Sequence, residues 1–135
     1  MKPTVLLVDD DEGVLHGLAR ALRHQPYRLH TARSAEEAIW AMKSGRVDVI
    51  VSDETMPGMP GSDLLAWSAG AFPDVVRIML TGNATTATAI RAINEGAVYH
   101  FFTKPCDVVQ LAITIRKALE HRESLREARR EQGVL

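Results

Sequence analysis

One cysteine, Cys106, is all the sulfur chemistry that this 135-residue chain offers beyond methionine, so no internal disulfide can form. A single thiol suits a reducing compartment, and the cytoplasm is the expected location. Aromatic residues are scarce, at 5%. No run approaches the ~20 apolar residues that a membrane span needs, and no apolar leader follows Met1-Lys2-Pro3. Charge of one sign is missing too. The formal net charge is −1, which supplies no broad electrostatic reason to bind nucleic acid or an anionic membrane. There is neither a G-x-x-x-x-G-K-[ST] nor a G-x-G-x-x-G sequence, which argues against ATP or dinucleotide binding. The five histidines lack metalloprotease spacing. What remains is 46% hydrophobic sequence, enough for one globular domain burying roughly two-thirds of its surface.

That sequence alternates five times between strand-like and helix-like segments. Val5-Leu6-Leu7-Val8 runs into Asp9-Asp10-Asp11, and Val47-Asp48-Val49-Ile50-Val51-Ser52 runs into Asp53 and a Pro/Gly-rich turn. Val75-Val76-Arg77-Ile78-Met79-Leu80 stops at Thr81-Gly82, and Val98-Tyr99-His100-Phe101-Phe102 stops at Thr103-Lys104-Pro105. A more polar run, Tyr27-Arg28-Leu29-His30-Thr31, is expected at a sheet edge. Between these runs, Val14, Leu15, Leu18 and Leu22 recur at helical spacing. Ser34 with Glu37 forms a capping-box signature ahead of Ala35, Ala38, Ile39 and Met42. A short third helix is expected from about Ser62 to Ser68. A fourth is expected after Asn83, ending at Glu95-Gly96, and a fifth after Pro105 with Asp107 at its positive end. Such alternation with short connections specifies an α/β fold, a five-stranded parallel sheet doubly wound with helices.

The charged stretch from Glu120 to Gln132 has a different character and is expected to extend the fifth helix. This divides the chain into a domain over 1–119 and an extension or start of a linker over 120–135. A coiled-coil seam there would run through Ile115, Ala118, Arg122, Leu125 and Arg129, and two arginines make it a poor one.

In a parallel sheet the strand C-termini share one edge, where ligands bind. Asp9, Asp10, Asp53, Thr81 and Lys104 would meet there. Packed carboxylates repel, raise one another's pKa and bind a hard divalent cation. Mg²⁺ takes few protein carboxylates, so Asp10 and Asp53 would ligate directly and Asp9 through water. Asp9 to Asp11 would equally serve as helix caps. Lys104 would pair with Asp53 and later with a phosphoryl oxygen, and Lys104-Pro105 is a plausible cis bond that would aim the lysine over the edge. Thr81 is either a site hydroxyl or an ordinary β-branched strand residue. Cys106 is either an activated thiol or inert packing.

Together, Leu7-Val8-Asp9-Asp10-Asp11-Glu12, Ser52 through Gly61, Leu80-Thr81-Gly82 and Thr103-Lys104-Pro105 closely resemble a two-component response regulator receiver domain, over about residues 4 to 119. The resemblance implies a flavodoxin-like (βα)5 fold and a cytoplasmic phosphorelay role. Asp53 would accept a phosphoryl group from the phosphohistidine of a sensor histidine kinase or phosphotransfer protein. Asp10, Asp53 and the Thr55 backbone carbonyl would hold Mg²⁺, with Asp9 supporting. Thr81 and Lys104 would contact the phosphoryl oxygens, and Thr81 with Phe101 would form the switch. The chain would assist its own phosphorylation and dephosphorylation without being a turnover enzyme. Its output would be a downstream effector, or a homodimer through the face of helix 4, strand 5 and helix 5, without nucleic acid or membrane binding by this chain. Two residues depart from the commonest pattern. Pro60 replaces an acidic or polar residue before the glycine, and Phe101 replaces the frequent tyrosine, so an inward Phe101 population is expected before phosphorylation. Residues Ile93 to Pro105 look like receivers joined to outputs that include cyclic-di-GMP phosphodiesterases and transcriptional activators. The rival reading is a haloacid-dehalogenase-like phosphatase with an aspartate nucleophile in Asp9-Asp10-Asp11, which would leave Asp53 idle.

Overall fold

A computed structural model describes residues 2–82, 87–94 and 98–134. The strands are β1 (Thr4–Val8), β2 (Arg28–Ala32), β3 (Val49–Asp53), β4 (Val76–Thr81) and β5 (His100–Thr103). The helices between them are α1 (Glu12–Leu22), α2 (Ala35–Ser44), α3 (Gly61–Ala71) and α4 (Ala87–Asn94), and α5 (Val108–Val134) follows β5. All pairings are parallel, in the order β2-β1-β3-β4-β5, so the polar second strand does lie at an edge.

Strand alternation sorts the apolar residues onto two faces. Leu6, Val8, Ile50 and Met79 pack with Ala38 and Met42 of α2 and with Leu64 and Leu65 of α3. Val5, Leu7, Val49, Val51, Ile78 and Leu80 pack with Leu15 and Leu22 of α1 and with Leu111 and Ile115 of α5. Each fully buried Leu or Ile stabilises by about 1.5–3 kcal/mol, and a one-residue slip of a central strand would exchange the two apolar sets and misfit the packing on both faces.

Helix starts follow local chemistry. Asp11 accepts from the Gly13 and Val14 N–H groups at the start of α1. Ser34 accepts from Glu37 N–H, while Glu37 reaches back to the Arg33 N–H. Asp107 receives the Val109 N–H at the start of α5. α3 runs about a turn past the expected stop at Ser68. Ser68 is buried, Trp67 meets Phe72 edge-on, and Pro73 is the residue that bars continuation. The expected start of α4 at Asn83 and its stop at Glu95-Gly96 lie outside the described residues.

α5 continues unbroken to Val134. Within that length Arg122 Nη1 lies 3.1 Å from the buried carboxylate of Asp48, and the Tyr99 and His121 rings stack at 5.2 Å. Arg129 Nε lies 3.1 Å from Asp74 Oδ1, an ion pair by distance without hydrogen-bond alignment.

Candidate functional site

Register brings the strand ends level. Val8 pairs with Ser52, Asp53 with Leu80, and Thr81 with Thr103. The residues that follow β1 and β5, Asp9 and Lys104, therefore emerge on the same edge as Asp53 and Thr81. One carboxylate oxygen from each of Asp9, Asp10 and Asp53 falls within 4.8 Å of the others. Asp9 and Asp53 are buried while Asp10 is exposed.

Lys104 is the one cation paired with this cluster among the described residues. Its ammonium donates to Asp9 Oδ2 at 3.0 Å and lies 3.2 Å from Asp53 Oδ1. The pairing with Asp53 was expected; the shorter contact to Asp9 was not, because nothing local to residue 104 points to a partner near residue 9. The Lys104-Pro105 peptide is cis. Asp9 is fully engaged, since its other oxygen accepts the Asp11 N–H at 2.9 Å. The three consecutive acids thus divide their work: Asp11 caps α1, and Asp9 and Asp10 face Asp53.

Burial pushes the Asp53 carboxyl up, and the neighbouring Asp9 charge adds to this. Lys104 and a hydrogen bond from the Thr55 backbone N–H act in the opposite direction without cancelling it. For Lys104, burial works to lower the pKa, but the hydrogen bond to Asp9 and the charges of Asp53 and Asp9 outweigh burial and raise it. Three carboxylates against one ammonium leave an excess of negative charge in a confined place. A hard divalent cation would relieve that excess, and an all-oxygen donor set suits a hard ion such as Mg²⁺. Asp9, with both oxygens already bonded to protein donors, suits a supporting position; Asp10 and Asp53 suit direct ligation.

Thr81 is buried at the end of β4, and its carbonyl accepts the Lys104 N–H at 2.8 Å. Phe101 is partly buried against the α2 and α3 core face. Gly61 is dictated by the crowding here, since a Cβ at that position would collide with the Asp53 carbonyl. At Cys106, burial pushes the thiol pKa up and the Asp107 charge adds to the shift, a direction opposite to activation. Sequence reasoning passed over Glu54, which is buried and accepts from both the N–H and the hydroxyl of Ser62. A glutamate in a loop carries no signal of burial by itself.

The profile of the response regulator receiver domain matches residues 5–116. The chain is 39% identical over 122 residues to the sensor kinase CckA of Brucella abortus, covering 89% of this chain and 13% of that protein. It is 34% identical over 117 residues to the hydrogenase transcriptional regulatory protein HoxA of Cupriavidus necator, covering 87% of this chain and 24% of that protein. The chain therefore spans less than a third of either relative. Among solved structures, the signal receiver domain of an HD domain-containing protein from Pseudomonas fluorescens superposes with a TM-score of 0.88 at 40% identity, covering 93% of each chain. A structure described as adenylate cyclase from Rhodopirellula baltica gives 0.92 at 31% identity, covering 98% of each.

Proposed function

From a chain that belongs to the response regulator receiver domain family, whose work is phosphorelay signalling, we propose that Asp53 is the phosphoacceptor. The observation that carries this is a carboxylate buried at a strand end, sharing one lysine with a second buried acid and facing a third. An Asp53 oxygen attacks phosphorus on a kinase or phosphotransfer phosphohistidine. The P–O bond forms as the P–N bond breaks, and the electron pair returns to the imidazole. Asp10, Asp53 and the Thr55 carbonyl would hold Mg²⁺, with Asp9 in support, and the bound ion would supply neutralisation of charge on the phosphoryl oxygens. Lys104 moves its pairing from carboxylate to phosphoryl oxygen, and the Thr81 hydroxyl takes another. The chain acts as an acceptor that assists its own phosphorylation and dephosphorylation. The dehalogenase-like alternative is not favoured, since it leaves the centre of this cluster without a role.

The test is incubation with acetyl phosphate and Mg²⁺. Wild type should gain an acyl phosphate and Asp53→Asn should gain none; full labelling of the variant would remove Asp53 from the role.

The output face comprises α4, β5 and α5, where Ile90, Tyr99, Val109 and Ile113 are exposed apolar residues. A downstream effector or a second copy of the chain docks there. Phosphorylation draws Thr81 inward and Phe101 follows, shifting an equilibrium that already includes the inward ring. Residues 1–119 act as the receiver, and 120–135 serve as a helical extension toward an output. Among the described residues no helix is long and apolar enough to cross a membrane, and we place the chain's work in the cytoplasm. NMR with beryllofluoride should move the resonances of Phe101 and α4. Shifts restricted to the neighbours of Asp53 would show that this switch is wrong.

A further inference from the structure

Glu54 is held at four points. Its N–H donates to the Leu80 carbonyl at 2.9 Å, and its carbonyl accepts the Gly61 N–H at 2.9 Å. Its side-chain Oε1 accepts from the Ser62 N–H at 3.2 Å and from the Ser62 hydroxyl at 3.0 Å. A helix start needs acceptors for its free N–H groups, and the residue at the N-cap of α3, Pro60, offers no side-chain acceptor. Glu54 fills that role from the other end of the loop, which ties the loop's two ends together. The residue is buried, and Oε2 has no hydrogen-bond partner among the described residues. A carboxylate is an expensive group to bury for capping alone.

The position of Glu54 in the chain shows what this anchoring governs. On one side is Asp53. On the other is Thr55, whose N–H donates to the Asp53 carboxylate and whose carbonyl belongs to the cation site proposed above. We propose that Glu54 is a positioning residue: by anchoring the loop to the start of α3, it sets the Thr55 peptide against Asp53 and so tunes the affinity of the site for a divalent cation. This inference rests on the reading of the site as a Mg²⁺ site. The effect belongs to the reach of the side chain, since among the described residues the anchored oxygen accepts only from Ser62.

Two conservative variants separate reach from charge. Glu54→Gln keeps the length and an oxygen able to accept both Ser62 bonds, while Glu54→Asp keeps the charge and falls a methylene short. Mg²⁺ alone is titrated into metal-free protein and followed by amide NMR shifts. Groups that orient ligands from behind are worth about 10- to 100-fold in metal affinity. Glu54→Asp should therefore weaken binding about tenfold or more and displace the Thr55 amide resonance, with Glu54→Gln staying within about twofold of wild type. Ser34→Ala removes the cap of α2 and controls for loss of stability alone; it should leave Mg²⁺ affinity unchanged. Wild-type affinity in Glu54→Asp would overturn the inference, as would equal weakening in Glu54→Gln, which would point to charge. Failure of wild type itself to bind Mg²⁺ would overturn the site reading instead.

Discussion

At the N-terminal edge of the sheet, Asp48 accepts the Thr4 N–H at 2.7 Å and faces two guanidiniums, Arg46 at 3.0 Å and Arg122 at 3.1 Å. At the C-terminal edge, Asp53 shares a single ammonium with Asp9 while Asp10 stands nearby. Both aspartates are buried and flank the same strand. Asp48 has more positive charge around it than it can use, which fixes Arg122 and the outer part of α5. The Asp53 cluster has too little, which leaves room for a cation or a phosphoryl group to change the balance. The two aspartates thus differ in whether their counter-charge is complete.

Asp48→Ala should break this contrast most severely. Removing one partner of a buried ion pair leaves the other charge uncompensated, at about 3–5 kcal/mol. Urea unfolding should show a loss of that order with Mg²⁺ binding retained; a loss below about 1 kcal/mol would mean that Asp48 is not the anchor of this edge.

Mg²⁺ should act at the other edge. Binding to the native state at ten times the dissociation constant adds about 1.4 kcal/mol. Thermal unfolding of wild type should shift upward accordingly, and that of Asp10→Ala should not. An equal shift in both would exclude Asp10 as a ligand.

At neutral pH the smallest effect belongs to Tyr27, beside the N-terminal edge. Its hydroxyl is buried with no partner among the described residues, and burial pushes its pKa from 10.0 up to about 12, against the opposing Arg116 charge. The folded state keeps this proton longer than the unfolded chain. The contribution is therefore complete below pH 10.0 and is lost as pH rises from there to about 12. Tyr27→Phe should match wild type at neutral pH within about 0.5 kcal/mol and exceed it in alkali. Parallel alkaline decline of both proteins would discount Tyr27.

The C-terminal edge was far more legible in sequence than the N-terminal one. β-branched runs that stop abruptly announce strand ends, and a parallel sheet collects those ends without any knowledge of side-chain contacts. Asp48 sits inside such a run and reads as a polar interruption; its partner Arg122 lies in a stretch that reads as a solvated helix. No local pattern joins residues that far apart. The same holds for Lys104 and Asp9. Among Asp9, Asp10 and Asp11 the residue type is identical, so only the turn of the backbone into α1 decides which one caps. Glu54 stayed hidden because its significance depends on Pro60 lacking a cap, a fact about another residue.

α5 has a mechanical consequence. Its 27 residues rise about 1.5 Å each, a rod of roughly 40 Å. A tilt of about 10° at Leu111 would sweep the far end through roughly 6 Å, a distance comparable to one helical turn. Arg122 and Arg129 bear on Asp48 and Asp74 partway along this rod, so its angle is held at the opposite edge of the sheet from Asp53. Such a tilt would turn a sub-ångström shift near the base into displacement at the tip, and the Asp48–Arg122 pair would resist it.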